Sequence, residues 1–270
     1  MHSPNPAPDL ISSPANPVIA RVRGLLARRD RRAAERAFVA EGARAVSDAI
    51  EAGVQPLLLL LREGTATPPG LPPGIEQRTV TTRLFDGLSD LANPQGILAV
   101  LPMSDLADRT VDNPLILIAD RLRDPGNLGT LLRTAAGAGA TEVRLSAETV
   151  DPFNPKTVRA GMGAHWRVPI RPLPATADAI RALAPVIVVA AVDAPISYDQ
   201  LDLAGPIAVI IGSEAHGVSP ELAALATDAV SIPLAAGVES LNAATAGAVI
   251  LFAAARQRRI RASVRDHPSH

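Results

Sequence analysis

Asp124-Pro-Gly-Asn127-Leu-Gly129-Thr-Leu-Leu-Arg133-Thr-Ala135-Ala is the stretch that decides the fold of this chain. It follows an apolar run, Leu115-Ile-Leu-Ile-Ala119, of the kind buried on both faces in a parallel sheet. Pro125, Gly126 and Gly129 then predict a sharp loop opening into a helix. The unit carries Asn127 and Arg133 where α/β proteins place their chemistry, beyond the carboxyl end of a strand. Two later loops carry matching signals. Ile211-Gly212-Ser-Glu214-Ala-His-Gly217 follows the strand-like Ile207-Ala-Val-Ile-Ile, and Ile232-Pro233 leads on to Glu239-Ser240-Leu241-Asn242-Ala243.

From residue 114 onward, strand and helix patterns alternate. Strands are expected near 115–119, 142–145, 167–170, 186–192, 207–211 and 229–232, and helices near 128–138, 154–161, 175–184, 219–226 and 242–261. This is the pattern of a Rossmann-like, mostly parallel sheet covered on both faces. Residues 16–101 read as a separate small α/β domain. Asn16-Pro17 starts a helix, Phe38-Val-Ala is a short strand, and Glu41 to Ala52 is a helix ending at Gly53. Strands at 56–61, 75–80 and 96–101 and a helix at 82–91 complete it. Residues 102–113 read as the linker, 1–15 as a disordered tail and 263–270 as a second tail.

Composition bounds the function. The chain has 270 residues, 47% hydrophobic and 20% charged, a normal globular balance. There is no cysteine, which excludes disulfides, thiolate metal sites and Cys nucleophiles and fits a reducing cytoplasm. No apolar run approaches the roughly 18 residues of a membrane span, and the N-terminus does not read as a signal peptide. No G-x-G-x-x-G opens a helix and there is no P-loop. Ser213 has Ile211 where a G-x-S-x-G elbow needs glycine, and His216 lies too close in sequence to serve it as a base. The five histidines show no metal-ligand spacing, so no metal site is expected.

The net charge of −1 does not announce nucleic acid, but its distribution does more. Between Pro17 and Arg44 stand eight arginines, among them Arg21, Arg28, Arg29, Arg32 and Arg44, against Asp30, Glu35 and Glu41. Arg256, Arg258, Arg259, Arg261 and Arg265 cluster again near the end. Such patches suit a phosphate backbone. With a single Lys in the chain, Arg is also simply its default surface cation.

The three loops define a crevice. Gly212 and Gly217 let backbone approach a ligand, and Ile232 and Leu241 offer apolar walls for an adenine ring. Arg133 is a cationic fork for phosphate or carboxylate. Glu214 can pair with a cation or orient a hydroxyl, and Ser240 and Asn242 supply short polar groups at a helix start. Singly, each has a plain structural reading: Asn127, Ser240 and Asn242 as caps, Glu214 as a solvated acid, Arg133 as a surface residue. Together, in three ordered blocks, they outweigh those readings.

These blocks resemble the motif set of the SpoU/TrmH family of RNA ribose methyltransferases, within the SPOUT superfamily. The likeness spans roughly residues 16–262 and includes Phe38-Val-Ala-Glu41-Gly42, Asn93-Pro94-Gln95-Gly96-Ile97, Asp151-Pro-Phe-Asn154-Pro-Lys156 and Arg159-Ala-Gly-Met-Gly163. The resemblance implies a C-terminal trefoil knot, against the usual rule on threading, and a ribosomal-protein-like N-terminal domain that binds RNA. It implies S-adenosylmethionine held by Gly212, Ile232 and Leu241, with Asn127, Arg133, Glu214, Ser240 and Asn242 as the catalytic constellation. It also implies a homodimer with the site near the interface, and methylation of a ribose 2′-hydroxyl, ribosomal RNA being favoured over transfer RNA. Antibiotic-resistance enzymes share the layout. The alternative is a non-catalytic RNA-binding assembly factor. Whether the Ala-rich run Ala243-Ala-Thr-Ala-Gly-Ala-Val packs against a partner or within the chain stays open.

Overall fold

A computed structural model describes residues 10–103, 106 and 111–266, without the side chains of 265 and 266. The chain divides into two compact units: Met1–Ser104 with Phe153–Arg159, and Asp105–Pro152 with Ala160–His270.

The first unit contains α1 (Pro17–Ala27), α2 (Arg29–Glu35), β1 (Ala37–Glu41), α3 (Ala43–Glu51), β2 (Leu58–Arg62), β3 (Gln77–Val80), α4 (Thr82–Asp86) and β4 (Ile97–Pro102). Its four-stranded sheet runs β1-β4-β2-β3, antiparallel except for the β2–β3 pair. Helix α1 starts as expected, with the Asn16 side chain accepting from the Val18 N–H at 2.9 Å and Pro17 at the first position. It buries Ile19, Val22 and Leu25 against Val39, Leu58, Leu60 and Val100. The later segment contributes Phe153, whose ring centroid lies 5.0 Å from that of buried Phe38.

Two readings need correction here. A second helix, α2, occupies the arginine-rich run that carried no apolar periodicity. The expected tail is not a tail throughout: Ile11 is buried and bridges to Val80, its N–H donating to the Thr79 carbonyl at 2.8 Å. An apolar residue beside an unpaired strand edge gains both burial and hydrogen bonds by docking there. Residues 1–9 of that stretch, and part of the linker at 104–105 and 107–110, lie outside the described residues.

The second unit contains β5 (Leu115–Ala119), α5 (Pro125–Ala138), β6 (Glu142–Leu145), β7 (Ile170–Pro172), α7 (Ala177–Arg181), β8 (Val186–Ala190), β9 (Ile196–Ser197), β10 (Ile207–Ile211), α8 (Pro220–Ala223), β11 (Asp228–Ser231) and α9 (Ala243–Asp266). In sequence between β6 and β7 run α6 (Pro155–Gly161), whose residues up to Arg159 belong to the first unit, and a 3-10 turn at Ala164–Trp166. The seven strands order as β7-β6-β5-β10-β8-β11-β9, and every described pairing is parallel. Alternation along the central strands feeds two cores. Leu115, Leu117, Ala119, Ile207, Val209 and Ile211 face one side with α5 and α9, while Ile116, Ile118, Ala208 and Ile210 face the other with α7 and α8. Full burial of each such Leu or Ile contributes about 1.5–3 kcal/mol.

Helix α9 runs through residues 263–266, so the expected second tail is helical there, and 267–270 lie outside the described residues. Three of its small residues pack within the chain. Ala243 and Ala244 are buried, and a Cβ on Gly247 would stand 2.3 Å from Leu131 Cδ1 of α5. The C-terminal arginine cluster also divides. Arg258 donates to the carbonyls of Asn113, Pro114 and Gly205, at 2.8, 2.8 and 2.5 Å, and burial lowers its pKa. Arg261 forks onto Asp202 at 2.9 and 2.8 Å, which holds that carboxyl below its ordinary value. Those two tie α9 down, while Arg256 and Arg259 are exposed.

Candidate active site

The site is built at the carboxyl ends of β5, β8, β10 and β11. Helix α5 begins three residues earlier than its apolar pattern predicts. Asp124 is the N-cap, its side chain accepting from the Asn127 N–H at 2.8 Å, and Pro125 stands at the first position. Asn127 is therefore not the cap. Its backbone is satisfied by Asp124, which leaves its side-chain amide for long-range work. That amide donates to Glu214 Oε1 in the loop after β10 and accepts from Asn242 Nδ2 at 3.0 Å. Asn242 does both jobs considered for it: its Oδ1 caps α9, accepting from the Ala244 and Thr245 N–H groups at 2.9 and 3.3 Å. Residues 115 positions apart, Asn127 and Asn242, thus meet in one relay ending on a carboxylate.

The loop carrying Glu214 is closed on itself. Ser213 and Gly217 exchange backbone hydrogen bonds at 3.0 and 2.8 Å, and Gly217 is left-handed at φ 65°. A Cβ on Gly212 would fall 2.2 Å from the Gly217 carbonyl carbon, so glycine there serves loop closure. From the end of the neighbouring strand β5, buried Asp120 accepts the Ser219 N–H at 2.7 Å and pins the start of α8.

A cavity of about 430 Å³ opens between these loops. Gly212, Ile232, Leu241, Glu214 and Ser240, all named from sequence, line it. Buried Ile211, Val230 and Ala243 stand with partly buried Ile232 and Leu241, whereas Ser240, Glu214 and His216 are exposed. Val189–Val192 at the end of β8, Val218, Leu234 and Ala246 also line it and were missed. β8 carries no polar signal, and its place beside β10 is a fact of sheet order that spacing does not disclose. The volume falls within the range of small-molecule sites, and apolar walls with a few polar groups suit a flat heteroaromatic ring bearing a polar chain. Among the described residues no group of His, Cys, Asp and Glu could hold a metal ion, and no helix is long and apolar enough to cross a membrane.

Arg133 stands apart from this relay. It lies six residues beyond Asn127 on α5, about 9 Å further along the axis and about 240° around it. Its Nη1 donates instead to Met162 Sδ at 2.9 Å, and the side chain is exposed. The arginines expected to meet RNA separate as well. Arg32 is a correction: it is 3% exposed and donates to the Leu25 and Leu26 carbonyls at 2.6 and 3.1 Å, satisfying the end of α1. Arg21 pairs with Glu35, Arg28 with Asp30 and Arg44 with Asp48, at 2.8, 2.5 and 2.9 Å, and Arg29 is exposed.

A parallel sheet whose strand ends hold a ligand-sized cavity beside an Asn–Asn–Glu relay defines the class, and comparison bears it out. Residues 114–252 match the model of the SpoU rRNA Methylase family and residues 16–99 that of the MRM3-like substrate binding domain. The chain belongs to the SpoU rRNA methylase family, as its three motifs imply. Among its relatives, the human protein named rRNA methyltransferase 3, mitochondrial, is 32% identical over 295 residues, covering 85% of this chain and 70% of its own. The Bacillus subtilis 23S rRNA (guanosine(2553)-2'-O)-methyltransferase RlmP is 31% identical, covering 80% of this chain and 87% of its own. The crystal structure of the SpoU methyltransferase AviRb from Streptomyces viridochromogenes, in complex with AdoMet, matches with a TM-score of 0.79 at 28% identity. It covers 91% of this chain and 100% of that one.

Proposed function

We propose that this protein transfers a methyl group from S-adenosylmethionine to a ribose 2′-hydroxyl of ribosomal RNA. The observation that carries this is the Asn242–Asn127–Glu214 relay at the rim of the cavity, in a chain whose relatives are named for that reaction. Gly212, Ile232 and Leu241 are the residues that would hold the cofactor, and their backbone and apolar surfaces fit an adenosyl group. When bound, S-adenosylmethionine supplies a methyl carried on a sulfonium.

The chain's residues divide the remaining work. Asn127 fixes Glu214 in one orientation by donating to it, and Asn242 fixes Asn127 in turn. Ser240, exposed beside them, offers a hydroxyl to the incoming ribose. The hydroxyl must shed a proton, and a fixed carboxylate and hydroxyl hold it in line for that step. Arg133 serves as a cation for the target phosphate or the developing alkoxide, because a guanidinium is a strong cation and a poor base.

Arg133 stands on a different face of α5 from Asn127 and is bonded elsewhere, which supports a homodimer in which the partner's Arg133 completes each site. We further infer that the path from β11 through residues 232–242 into α9 forms the trefoil knot of the family, since α9 returns to pack on α5 and β10. The first unit recognises RNA, with Arg21, Arg28, Arg29 and Arg44 as contacts. Phosphate displaces the carboxylates of Glu35 and Asp30 from Arg21 and Arg28 at little cost, whereas Arg44 keeps its buried partner Asp48 and meets RNA with its exposed guanidinium.

The test is transfer of labelled methyl from S-adenosylmethionine to unmodified ribosomal and transfer RNA, with Arg133→Ala alongside. Alkali-resistant label in ribosomal RNA, lost in the variant, is the expected result. Label confined to transfer RNA would move the substrate. A protein that binds the cofactor but labels no RNA or pre-ribosomal particle would make this an assembly factor.

A further inference from the structure

Met162 is unusual on three counts. Its φ is 41°, and among the described residues only Arg36 and Arg121 share a left-handed backbone without being glycine. That conformation costs a residue with a side chain about 1–2 kcal/mol. It is an apolar side chain left 50% exposed. Its sulfur receives an N–H of Arg133 at 2.9 Å.

The surroundings impose this geometry. Gly163 follows at φ 82°, and Ala164, His165 and Trp166 anchor the next turn by burial. His165 is tied to the Pro152 carbonyl at 2.7 Å. On the other side, Gly161 sits so close that a Cβ would stand 3.0 Å from the His165 ring and 3.8 Å from the Gly129 carbonyl. Gly129 lies one turn before Arg133 on the same face of α5. Met162 is thus held by two glycines and a buried turn against the stretch of helix that carries Arg133. Strain that persists because its surroundings over-determine it marks a functional position.

We propose that Met162 is a positioning residue for Arg133. Its thioether accepts one guanidinium N–H and sets the plane of the fork, leaving the other donors aimed outward at the RNA. A thioether is a weak, uncharged acceptor, so it orients the cation without neutralising it, as a carboxylate would. The inference rests on Arg133 being the catalytic cation, and the test keeps the two apart.

Methyl transfer to protein-free ribosomal RNA is measured for Met162→Leu, Met162→Gln, Met162→Gly, Arg133→Ala and the Met162→Leu/Arg133→Ala pair, with thermal stability and cofactor affinity. Met162→Leu lowers kcat about tenfold with both controls unchanged, since misplacing a group by a fraction of an ångström suffices for that loss. Met162→Gln, which keeps an acceptor, recovers most of it. Met162→Gly is at least as stable as the parent, because glycine adopts this φ without strain, yet is slow. In the Arg133→Ala background Met162→Leu changes nothing further. Wild-type kcat in Arg133→Ala would overturn the role of Arg133 itself. A slow Arg133→Ala beside fully active Met162→Leu and Met162→Gly would overturn the role of Met162 alone. The contact is also read without turnover. The chain has three methionines, so the labelled Met162 methyl NMR signal is assigned by its loss in Met162→Leu. That signal shifts in Arg133→Lys; an unmoved signal would overturn the proposal whatever RNA is used.

Discussion

A single methyl at Gly212 would collide with the backbone of Gly217 and with the Val218 nitrogen, both within 2.3 Å. Backbone cannot yield as a side-chain end can, so Gly212→Ala opens the 213–217 loop. Overpacking of this kind costs about 1–3 kcal/mol, and we expect cofactor affinity, read by calorimetry, to fall at least about tenfold. Undiminished affinity would mean the loop does not shape the cavity. At Asn127 the expectation is different. Asn127→Ala leaves the cap to Asp124, so stability drops by under about 1 kcal/mol. Glu214 loses its donor, however, and kcat falls about a hundredfold while cofactor affinity holds. Equal losses in rate and affinity would place Asn127 in binding instead. Asn127, Glu214 and Asn242 were legible as residues because polar side chains at strand-to-helix loops stand out from apolar flanks. Their hydrogen bonding was not, since it depends on Asp124 having already taken the cap.

At the level of elements, α9 is where sequence and structure part most. Its Ala-rich start permits close packing without naming the partner, and the structure places Leu131 of α5 on Gly247. Leu131 is a side-chain end that can shift, so Gly247→Ala lowers stability by about 1–2 kcal/mol, read as a drop in Tm. An unchanged Tm would mean that the Leu131–Gly247 contact does not hold α9 on α5. Strands β5 and β10 were readable to the residue, because runs of buried Leu, Ile and Val bounded by Pro and Gly admit one assignment. β7 begins three residues later than its pattern predicts, β8 ends two residues earlier, and β9, only two residues long, carries no pattern. Helix α2 escaped notice because its arginines hide the one that turns inward, Arg32.

For the whole molecule, two expectations follow. His165 is buried and its pKa is lowered to about 4, chiefly by desolvation. The unfolded chain takes up the proton below its ordinary value of 6.5, whereas the folded chain refuses it until about 4. Stability is therefore full above that ordinary value and declines as pH falls toward the lowered one, by up to about 3 kcal/mol. His165→Gln, which keeps a donor for the Pro152 carbonyl, flattens that decline in denaturant titrations; an identical slope would assign it elsewhere. The second concerns assembly. Mixing inactive Arg133→Ala with inactive Glu214→Gln restores about a quarter of the activity on random re-pairing, because half of the dimers then contain one complete site. No recovery would put each Arg133 in its own chain's site. By itself the sequence determined the parallel α/β class, the position of the ligand loops and the family. All of these rest on local periodicity and on short polar motifs whose meaning does not depend on distant residues. Tertiary structure alone decided which arginines are buried, that β8 completes the cavity, and that Arg133 leaves the relay for Met162. Those outcomes follow from strand order and helix rotation, which bring together residues far apart in the chain and which no local pattern encodes.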